Sequence, residues 1–304
     1  MPNSGSSTPA WAEIRSRHLV YEDEAILALD KPPGISVMGE RHDLDLVRIA
    51  EAAGERLFPV HRIDKATSGL ILFARELRFH GDLTRQFARR TAGKRYLVLT
   101  RTRGLPVAGT IDLPLSVGRK NRVRVAANRA DIAADRSSDS GEGCWSVPAG
   151  AVFDHVPVYP SVTTFVRLWE GGEFTLLAAT PVTGRRHQIR VHLAWIGHPV
   201  DGDPLFDRAA TSRTLLHSWR LAIYDIAGER LRLEAPPGPG FWTPAAALIP
   251  AGIPATLPDL VPWDPPASDC APGTPEDGRT SSLPSSPRPA AARRRRSGGR
   301  GLGR

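Results

Sequence analysis

Short apolar runs, many of them containing β-branched residues, recur along the chain and are separated by glycine and proline. Alternating or continuous apolar runs of this length between turn residues are typical of β-strands. The runs occupy residues 25–30, 69–75, 94–100, 122–127, 163–170, 173–180 and 230–236. The pattern therefore predicts a protein built largely on strands.

Two other segments carry apolar residues at helical spacing. In residues 76–93 an apolar residue recurs every four positions and arginines occupy the other faces, and residues 187–197 carry a similar apolar stripe. A glycine, Gly93 or Gly197, is placed to end each helix. Strands in groups with a few helices between them predict an α+β fold, with a mainly antiparallel mixed sheet as its core and flanking helices, not a doubly wound parallel fold.

Composition divides the 304-residue chain into three parts. Residues 1–17 are predicted to be a flexible N-terminus, and residues 18–260 hold the predicted strands and helices. Residues 261–304 are predicted to be a disordered Arg-rich tail, because they lack the aromatic and β-branched residues needed to offset the entropy of ordering. Within the folded part, residues from about 130 to 160 have the composition of a surface insertion between two strands.

The formal net charge is +8, and its location decides what it indicates. Residues 278–304 contain eight arginines and no acidic residue, so the rest of the chain is formally neutral. Within that rest, residues 75–103 hold nine Lys and Arg against two acids, and residues 119–129 hold five against none. A neutral protein with one basic face is suited to phosphate-backbone binding, although a solvated helix face more often explains a single charge run.

Several classes of protein are excluded by the sequence pattern. The N-terminus has no basic segment that leads into an apolar run, and no apolar stretch is long enough to span a bilayer, so we expect a soluble, cytoplasmic protein. Cys144 and Cys270 lie far apart without a CxxC pair, and they predict neither a disulfide framework nor a zinc site. No glycine-rich phosphate loop is present, so no nucleotide cofactor is expected.

Three polar clusters lie at the edges of apolar elements, where binding residues are often held on a rigid scaffold. They are HRID at 61–64, RY at 95–96 and GRRHQIRVH at 184–192. Each cluster by itself is weak evidence for a binding or catalytic site. A loop aspartate such as Asp64 more often caps a turn, a tyrosine such as Tyr96 in a strand more often packs, and a helical arginine such as Arg190 is more often solvated.

Two further kinds of site are disfavoured. His187 and His192 are spaced i,i+5, which places them on divergent helix faces, whereas a helical zinc pair needs i,i+4. We therefore expect no metal. Ser68 belongs to a Thr-Ser-Gly turn and not to the Gly-x-Ser-x-Gly elbow of a serine hydrolase.

In their order and context the clusters resemble the RluA-type pseudouridine synthases. The matching segments are ILALDKPPGISV, HRIDKATSGLILFAR, GKRYLVL, PVTGRRHQIRVHLAWIGHPVDGDPLF and LLHSWRL, from about residue 20 to about residue 240. Several long motifs in the right order do not easily arise by composition. The chain has HRID where the family more often has HRLD, and no S4-like RNA-binding domain, which many members carry, is recognisable.

The resemblance implies a pseudouridine synthase-like fold with a catalytic cleft across the sheet. It implies isomerisation of uridines in a ribosomal or transfer RNA stem-loop, without a cofactor. Asp64 then matches the catalytic aspartate, Arg190 its ionic partner, and Tyr96 a residue that stacks on the uracil and serves in proton transfer at C5. Arg62 matches an RNA-binding position that enters the stack where the target base has left. Attack by the aspartate on the ribose and attack on the base are both compatible with these residues.

The resemblance also implies an aliphatic platform under the base, formed by Leu215 or Leu216. Two alternative functions are a non-catalytic RNA-binding or assembly factor on the same scaffold, and a base-removing hydrolase that would release free uracil. A protein that only binds RNA does not require Asp64, Tyr96 and Arg190 together. We expect a monomer whose partner is RNA, with no membrane contact.

Overall fold

Most of the apolar runs form strands of one large sheet. The computed structural model describes residues 10–39, 45–136, 141–206 and 212–263. The helices are α1 (Trp11–His18), α2 (Leu46–Ala52), α3 (Leu77–Ala88), α4 (Gln188–Trp195), α5 (Pro239–Trp242) and α6 (Gly252–Leu260). The strands are β1 (Leu19–Glu22), β2 (Ile26–Lys31), β3 (Phe58–Pro59), β4 (Ser68–Ala74), β5 (Gly93–Thr100), β6 (Ala108–Asp112), β7 (Leu115–Val117), β8 (Val123–Val125), β9 (Ala133–Arg136), β10 (Glu142–Ser146), β11 (Val162–Gly171), β12 (Phe174–Pro181), β13 (Leu216–Tyr224) and β14 (Arg230–Glu234).

The main sheet has twelve strands. Its order is β1-β2-β4-β13-β5-β12-β11-β6-β10-β9, with β14 paired to β13 and β3 paired to β4. The β4–β13 and β6–β10 pairs are parallel, and the other pairs within the described residues are antiparallel. β7 and β8 form a separate antiparallel pair. The prediction of an α+β fold with a mainly antiparallel mixed sheet and flanking helices is confirmed.

Both faces of the centre of the sheet are covered. β4 is buried along its whole length. Its side chains alternate, so that Ile71 belongs to one apolar cluster together with Tyr96, while Leu70 belongs to another together with Leu83 of α3. A strand packed on both faces has little freedom to move. The loop that leads into β4 is therefore attached to a rigid element.

Gly69 explains the Thr-Ser-Gly sequence at the start of β4. Its φ is +103°, and a Cβ at this position would lie 2.3 Å from the carbonyl oxygen of Ser218. β4 and β13 pair in parallel at this point, through Ser68 and Gly69 opposite His217 and Ser218. Glycine alone tolerates both the positive φ and the close backbone approach.

The structure differs from the prediction at the N-terminus. Residues 11–17, predicted to be flexible, lie in α1, where Trp11 and Ile14 are buried. The indole nitrogen of Trp11 also donates a hydrogen bond to Glu55 at 2.7 Å. Two apolar side chains three positions apart are enough to attach this short helix to the core, and overall composition does not show this. Residues 1–9 lie outside the described part of the chain.

The predicted surface insertion also contains regular structure. β9 and β10 lie within it, and β10 extends the main sheet by pairing with β6. Trp145 of β10 is buried and packs on Phe165, with ring centroids 5.9 Å apart. Cys144 is disulfide-bonded, which the sequence pattern did not predict. Residues 137–140 lie outside the described part.

α3 ends earlier than predicted. Its last residue is Ala88, and Arg90 adopts the left-handed conformation at φ 61°, whereas Gly93 begins β5. An arginine therefore occupies a backbone conformation that glycine usually takes at a helix end. Within the described residues no helix is both long enough and apolar enough to cross a membrane. The disordered tail was predicted over residues 261–304; Val261 at its start is buried, and residues 264–304 lie outside the described part.

Candidate active site

Asp64 lies in the loop that connects β3 to β4. The backbone N–H of Thr67 donates to the carbonyl oxygen of Asp64 at 3.0 Å, which closes a turn. At the start of the loop, His61 Nε2 accepts a hydrogen bond from the N–H of Leu72 at 3.1 Å, and its ring stacks on Phe87. Burial lowers the pKa of His61 to about 3, so its ring is neutral and free to accept this bond. The loop is thus fixed on both sides of the Asp64 carboxylate.

Arg190 forms an ion pair with Asp64. Its Nη1 donates to Asp64 Oδ2 at 2.8 Å, and the Arg190 side chain is 5% exposed whereas that of Asp64 is 15% exposed. Arg190 lies in the first turn of α4, which begins after His187 in a left-handed conformation. The structure therefore brings together the acid and the arginine that sequence reasoning paired.

Asp203 is a second carboxylate on Arg190, and sequence reasoning missed it. Its Oδ2 and Oδ1 accept from Arg190 Nε and Nη2 at 2.7 and 2.6 Å, and its side chain is completely buried. Such a bidentate contact fixes the plane of a guanidinium, which leaves Nη1 directed at Asp64. The available sequence signal was the Asp-Gly-Asp turn, in which Gly202 has φ +70°.

Two cavities meet at Asp64. The smaller, of about 270 Å³, extends along the sheet to Tyr96 and Leu216, and the larger, of about 900 Å³, extends towards residues 34–39. Leu215 does not line either cavity but packs on the opposite face of the sheet. Of the two leucines considered from the sequence, the structure therefore places Leu216 in the cleft. The residues that line both cavities are His61, Arg62, Ile63, Asp64, Arg186, His187 and Arg190.

Tyr96 forms one wall of the smaller cavity and is 8% exposed. Burial, and to a lesser extent the negative charge of Asp64, raises the pKa of Tyr96 to about 12, although a hydrogen bond with Ser218 acts in the opposite direction. The phenol is therefore protonated at neutral pH. Tyr96 therefore contributes a neutral phenol, not a phenolate, to the wall of the cavity.

Arg62 and His187 lie at the junction of the two cavities. The Arg62 side chain is exposed. His187 Nε2 lies 3.5 Å from Asp64 Oδ1, on the carboxylate oxygen that Arg190 does not bind. Burial lowers the pKa of His187, and the nearby carboxylate of Asp64 opposes this shift. The acid is thus flanked by a buried guanidinium and a partly buried imidazole.

Residues 25–195 match the family model described as RNA pseudouridylate synthase. The chain belongs to this family. Pseudouridine synthases convert uridine to pseudouridine in RNA, so the protein is an isomerase that acts on RNA. The alternative of a non-catalytic RNA-binding factor is not favoured.

Relatives of this synthase are similar over most of its length. The dual-specificity RNA pseudouridine synthase RluA of Pasteurella multocida is 33% identical over 228 residues, which cover 72% of this chain and 92% of that protein. The ribosomal large subunit pseudouridine synthase D of Nitrosomonas europaea is 30% identical over 245 residues, covering 74% of this chain and 63% of that protein. A solved structure, human RNA pseudouridylate synthase domain containing 4, has the same fold, with a TM-score of 0.60 at 20% identity over 78% of this chain and 96% of that one.

Lys31 is a buried residue of the synthase that sequence reasoning did not single out. Its Nζ donates to the carbonyl oxygens of Pro32, Ile35 and Lys65 at 2.9, 2.9 and 3.2 Å. Burial lowers the pKa of Lys31 to about 7, while the charge of Asp64 raises it. Lys31 therefore ties the turn after β2 to the loop that carries Asp64. The available signal was the pair of charged residues, Asp30 and Lys31, inside the otherwise apolar ILALDKPPG.

The remaining polar residues raised by the sequence have structural partners. His192 is buried in the synthase, and its Nε2 lies 3.0 Å from the carbonyl oxygen of Leu113. Ser68 Oγ lies 2.8 Å from His217 Nδ1 and accepts from Arg213, so it links β4 to β13. Among the described residues no group of three or more His, Cys, Asp or Glu side chains is placed to hold a metal ion.

Proposed function

We propose that this synthase isomerises uridines in structured ribosomal or transfer RNA with Asp64 as its catalytic residue. The observation that carries the proposal is a carboxylate that faces an open cleft and is ion-paired at 2.8 Å to a buried arginine. The names of the relatives, one a dual-specificity RNA enzyme and one an enzyme of the large ribosomal subunit, support ribosomal RNA among the substrates. The finer expectations of a monomer that acts in the cytoplasm without a nucleotide cofactor stay predictions.

A uridine inside an RNA stem has to leave the stack before it can reach Asp64. Flipping a base costs a few kcal/mol. Arg62 is exposed at the junction of the two cavities, directly before Ile63 and Asp64 in the chain. We propose that the Arg62 side chain enters the gap left by the flipped base, where a guanidinium can stack on neighbouring bases and contact phosphate.

The smaller cavity then receives the uracil. Tyr96 and Leu216 offer it an aromatic and an aliphatic wall close to Asp64. The Asp64 carboxylate attacks either the anomeric carbon of the ribose or the base, and the guanidinium of Arg190 holds it in one orientation. The N1–C1′ bond breaks, the uracil turns, a C5–C1′ bond forms, and the bond to Asp64 breaks, which frees the carboxylate again. C5 loses one proton and N1 gains one. Substrate and product contain the same atoms, so the reaction needs no external oxidant, reductant or group donor.

The C5 proton leaves at the end of the reaction. Because the pKa of Tyr96 is raised to about 12, its phenol is not a strong base at neutral pH. We therefore assign Tyr96 first to stacking on the uracil, and to proton transfer only through its neutral hydroxyl group. This refines the role that the family resemblance implies.

Tritium release tests the proposal. Ribosomal and transfer RNA carrying uridine tritiated at C5 are incubated with the full-length chain, and we expect tritium in the water and an isomerised nucleotide in the RNA. Asp64→Asn should abolish release and leave RNA affinity within a few fold, because it removes the charge without changing the shape of the side chain. Asp82→Asn is the matched control, since this exposed acid pairs with Arg85 outside the cleft.

Each other outcome of this assay points to a different function. RNA binding by the wild type without tritium release would support a non-catalytic binder. Free uracil would support a base-removing hydrolase. Normal turnover by Asp64→Asn would remove Asp64 from its proposed role. Tyr96→Phe keeps the ring, and release within about tenfold of the wild type would agree with stacking as its main role, whereas a loss as deep as that of Asp64→Asn would give the hydroxyl a full catalytic role.

A further inference from the structure

The basic residues between 75 and 103 are not equivalent in the structure. Five of the nine lie within 4 Å of a carboxylate, so their charges are largely compensated. These five are Arg75, Arg78, Arg85, Arg101 and Arg103. The others, Arg89, Arg90, Lys94 and Arg95, lie together between the end of α3 and the start of β5. The basic face expected from the sequence is thus reduced to a much smaller area.

A third cavity, of about 260 Å³, opens in this area. We call it the basic cavity, because among the described residues six cationic side chains and no acidic side chain line it. One of the six lies in the turn after α3, two lie in β5, one lies in β13, and two lie in β14. They are Arg90, Lys94, Arg95, Arg220, Arg230 and Arg232.

The floor of the basic cavity has a structural role. Arg220 is buried, pairs with Glu234 at 2.8 Å and donates to the carbonyl oxygens of Pro258 and Val261. Arg95 donates to the carbonyl oxygen of Pro262. These two arginines hold the chain segment that follows α6 against the sheet. They do not need an additional anion.

The mouth of the basic cavity is different. Arg90 is exposed and Lys94 is half-buried, and neither is ion-paired to any acid among the described residues. Burial lowers the pKa of Lys94, and the positive charge of Arg90 lowers it further. Bringing these like charges together is unfavourable unless an anion joins them. The exposed arginines Arg230 and Arg232 complete the mouth.

The basic cavity adjoins the cleft that holds Asp64. Lys94 and Pro181 line both cavities, and a Cβ on Gly184, in the wall of the cleft, would lie 3.3 Å from the ammonium nitrogen of Lys94. We propose that the mouth of the basic cavity binds backbone phosphate of the RNA strand next to the flipped uridine. This inference rests on the proposed function, because it takes RNA as the substrate of the neighbouring cleft.

The size and chemistry of the basic cavity fit this ligand. At about 30 Å³ per liquid water molecule, its 260 Å³ has room for about nine waters, enough for a phosphate group with part of its hydration. A guanidinium fork matches two phosphate oxygens, and an ammonium adds a point charge. Phosphate contacts of this kind fix the register of a strand without reading its sequence. The proposed contact would therefore position the strand while the cleft selects the uridine.

Salt titration of RNA binding tests the inference independently of catalysis. The probe is a fluorescently labelled oligouridylate, and the proteins are the full-length wild type, Arg90→Gln and the Arg90→Gln/Arg232→Gln double variant. Each lost contact to a single strand should reduce the slope of log K against log salt by about 0.7, so the double variant should lose about 1.4. Arg89→Gln is the matched control, because Arg89 is exposed and adjacent but does not line the basic cavity. Its slope should equal that of the wild type.

Three results would overturn the inference. The cavity variants could keep the wild-type slope, or Arg89→Gln could lose as much slope as Arg90→Gln. Inorganic phosphate alone could also bind saturably to the wild type and not to the double variant, with unchanged oligouridylate slopes, which would assign the cavity to a small free anion. Tritium release by the wild type is measured in parallel, so that failure of the proposed function is distinguishable from failure of this contact.

Discussion

Asp203 binds the side of the Arg190 guanidinium that faces away from Asp64. It holds two nitrogens of Arg190 and is completely buried, and its Oδ1 also accepts from the backbone N–H of Leu205 at 2.9 Å. Arg190 has one remaining nitrogen for Asp64. The direction of that last hydrogen bond is therefore set from the far side of the guanidinium. We regard Asp203 as a positioning residue.

Replacing Asp203 by asparagine should separate turnover from RNA binding. The amide keeps the shape of the side chain but loses the charge and one acceptor, so we expect a loss of about 3 kcal/mol in the free energy of unfolding. Because Arg190 is then misdirected, kcat should fall about 100-fold while KM for RNA changes only a few fold. The control is Glu55→Gln, which breaks the ion pair with Arg15 at 2.7 Å far from the cleft. A matched loss of stability with unchanged kcat in both variants would make Asp203 a purely structural residue.

The sequence predicted the pair Asp64 and Arg190, but it did not predict the residues that hold this pair in place. Asp64 and Arg190 are 126 positions apart, and their pairing was inferred from the family motifs. Asp203 and Lys31 lie in two of the same motifs but were given no role. Asp203 supports Asp64 through Arg190, and Lys31 supports it through backbone carbonyl oxygens. Indirect contacts of this kind depend on how loops meet in space, and residue spacing does not report this.

At the scale of elements, His217 connects β4, β13 and the segment after β14. Its Nδ1 lies 2.8 Å from Ser68 Oγ, and its Nε2 lies 2.7 Å from the carbonyl oxygen of Ala235. Burial lowers the pKa of His217 to about 4, which lies below the usual value near 6.5. As the pH falls below 6.5 the unfolded chain takes up a proton that the folded protein cannot accept. Stability is therefore present above pH 6.5 and is lost towards pH 4.

This link between β4 and β13 should be visible in urea unfolding at different pH values. His217 alone should contribute a loss of about 3 kcal/mol between pH 6.5 and pH 4. His217→Gln should be less stable at pH 7 but should show a shallower decline on acidification. Gln in place of the exposed His155 is the control and should leave the decline unchanged. A His217→Gln curve that runs parallel to the wild type would contradict the assignment.

The strands that the sequence predicted correctly are apolar runs bounded by turn residues. The runs at 25–30, 69–75 and 173–180 correspond to β2, β4 and β12. β13, which lies between β4 and β5, was not predicted as a strand. It is buried on both faces over most of its length and contains His217 and Arg220, so it shows no alternation of polar and apolar residues. Its polar side chains find partners on distant segments.

At the scale of the whole molecule, the net positive charge lies at the C-terminal end of the sequence and not in the rest of the chain. The eight arginines of residues 278–304 equal the entire net charge of +8. We expect these arginines to add sequence-independent affinity for RNA. Deleting residues 278–304 should flatten the salt dependence of RNA binding by up to about 6 in log–log slope, at about 0.7 for each single-strand phosphate contact. Turnover at saturating RNA should stay the same.

A charge-only variant completes this experiment. Changing the eight tail arginines to glutamine keeps the length of the chain and should flatten the slope as much as the deletion does. If the deletion alone has the effect, the length of the tail matters and its charge does not. If neither has an effect, the tail makes no contact with RNA. The basic cavity would then be the main source of salt dependence.

Arg190 contacts both Asp203 and Asp64 within the folded chain itself, so the Asp64 carboxylate is held in one orientation by the fold. The conformational entropy of ordering these side chains is lost when the chain folds and not when RNA arrives. Gentle heating that loosens the turn around Gly202 should therefore disorder the Asp64 carboxylate, while the arginines far from that turn should still bind RNA. Under such conditions the synthase would hold its substrate without converting it.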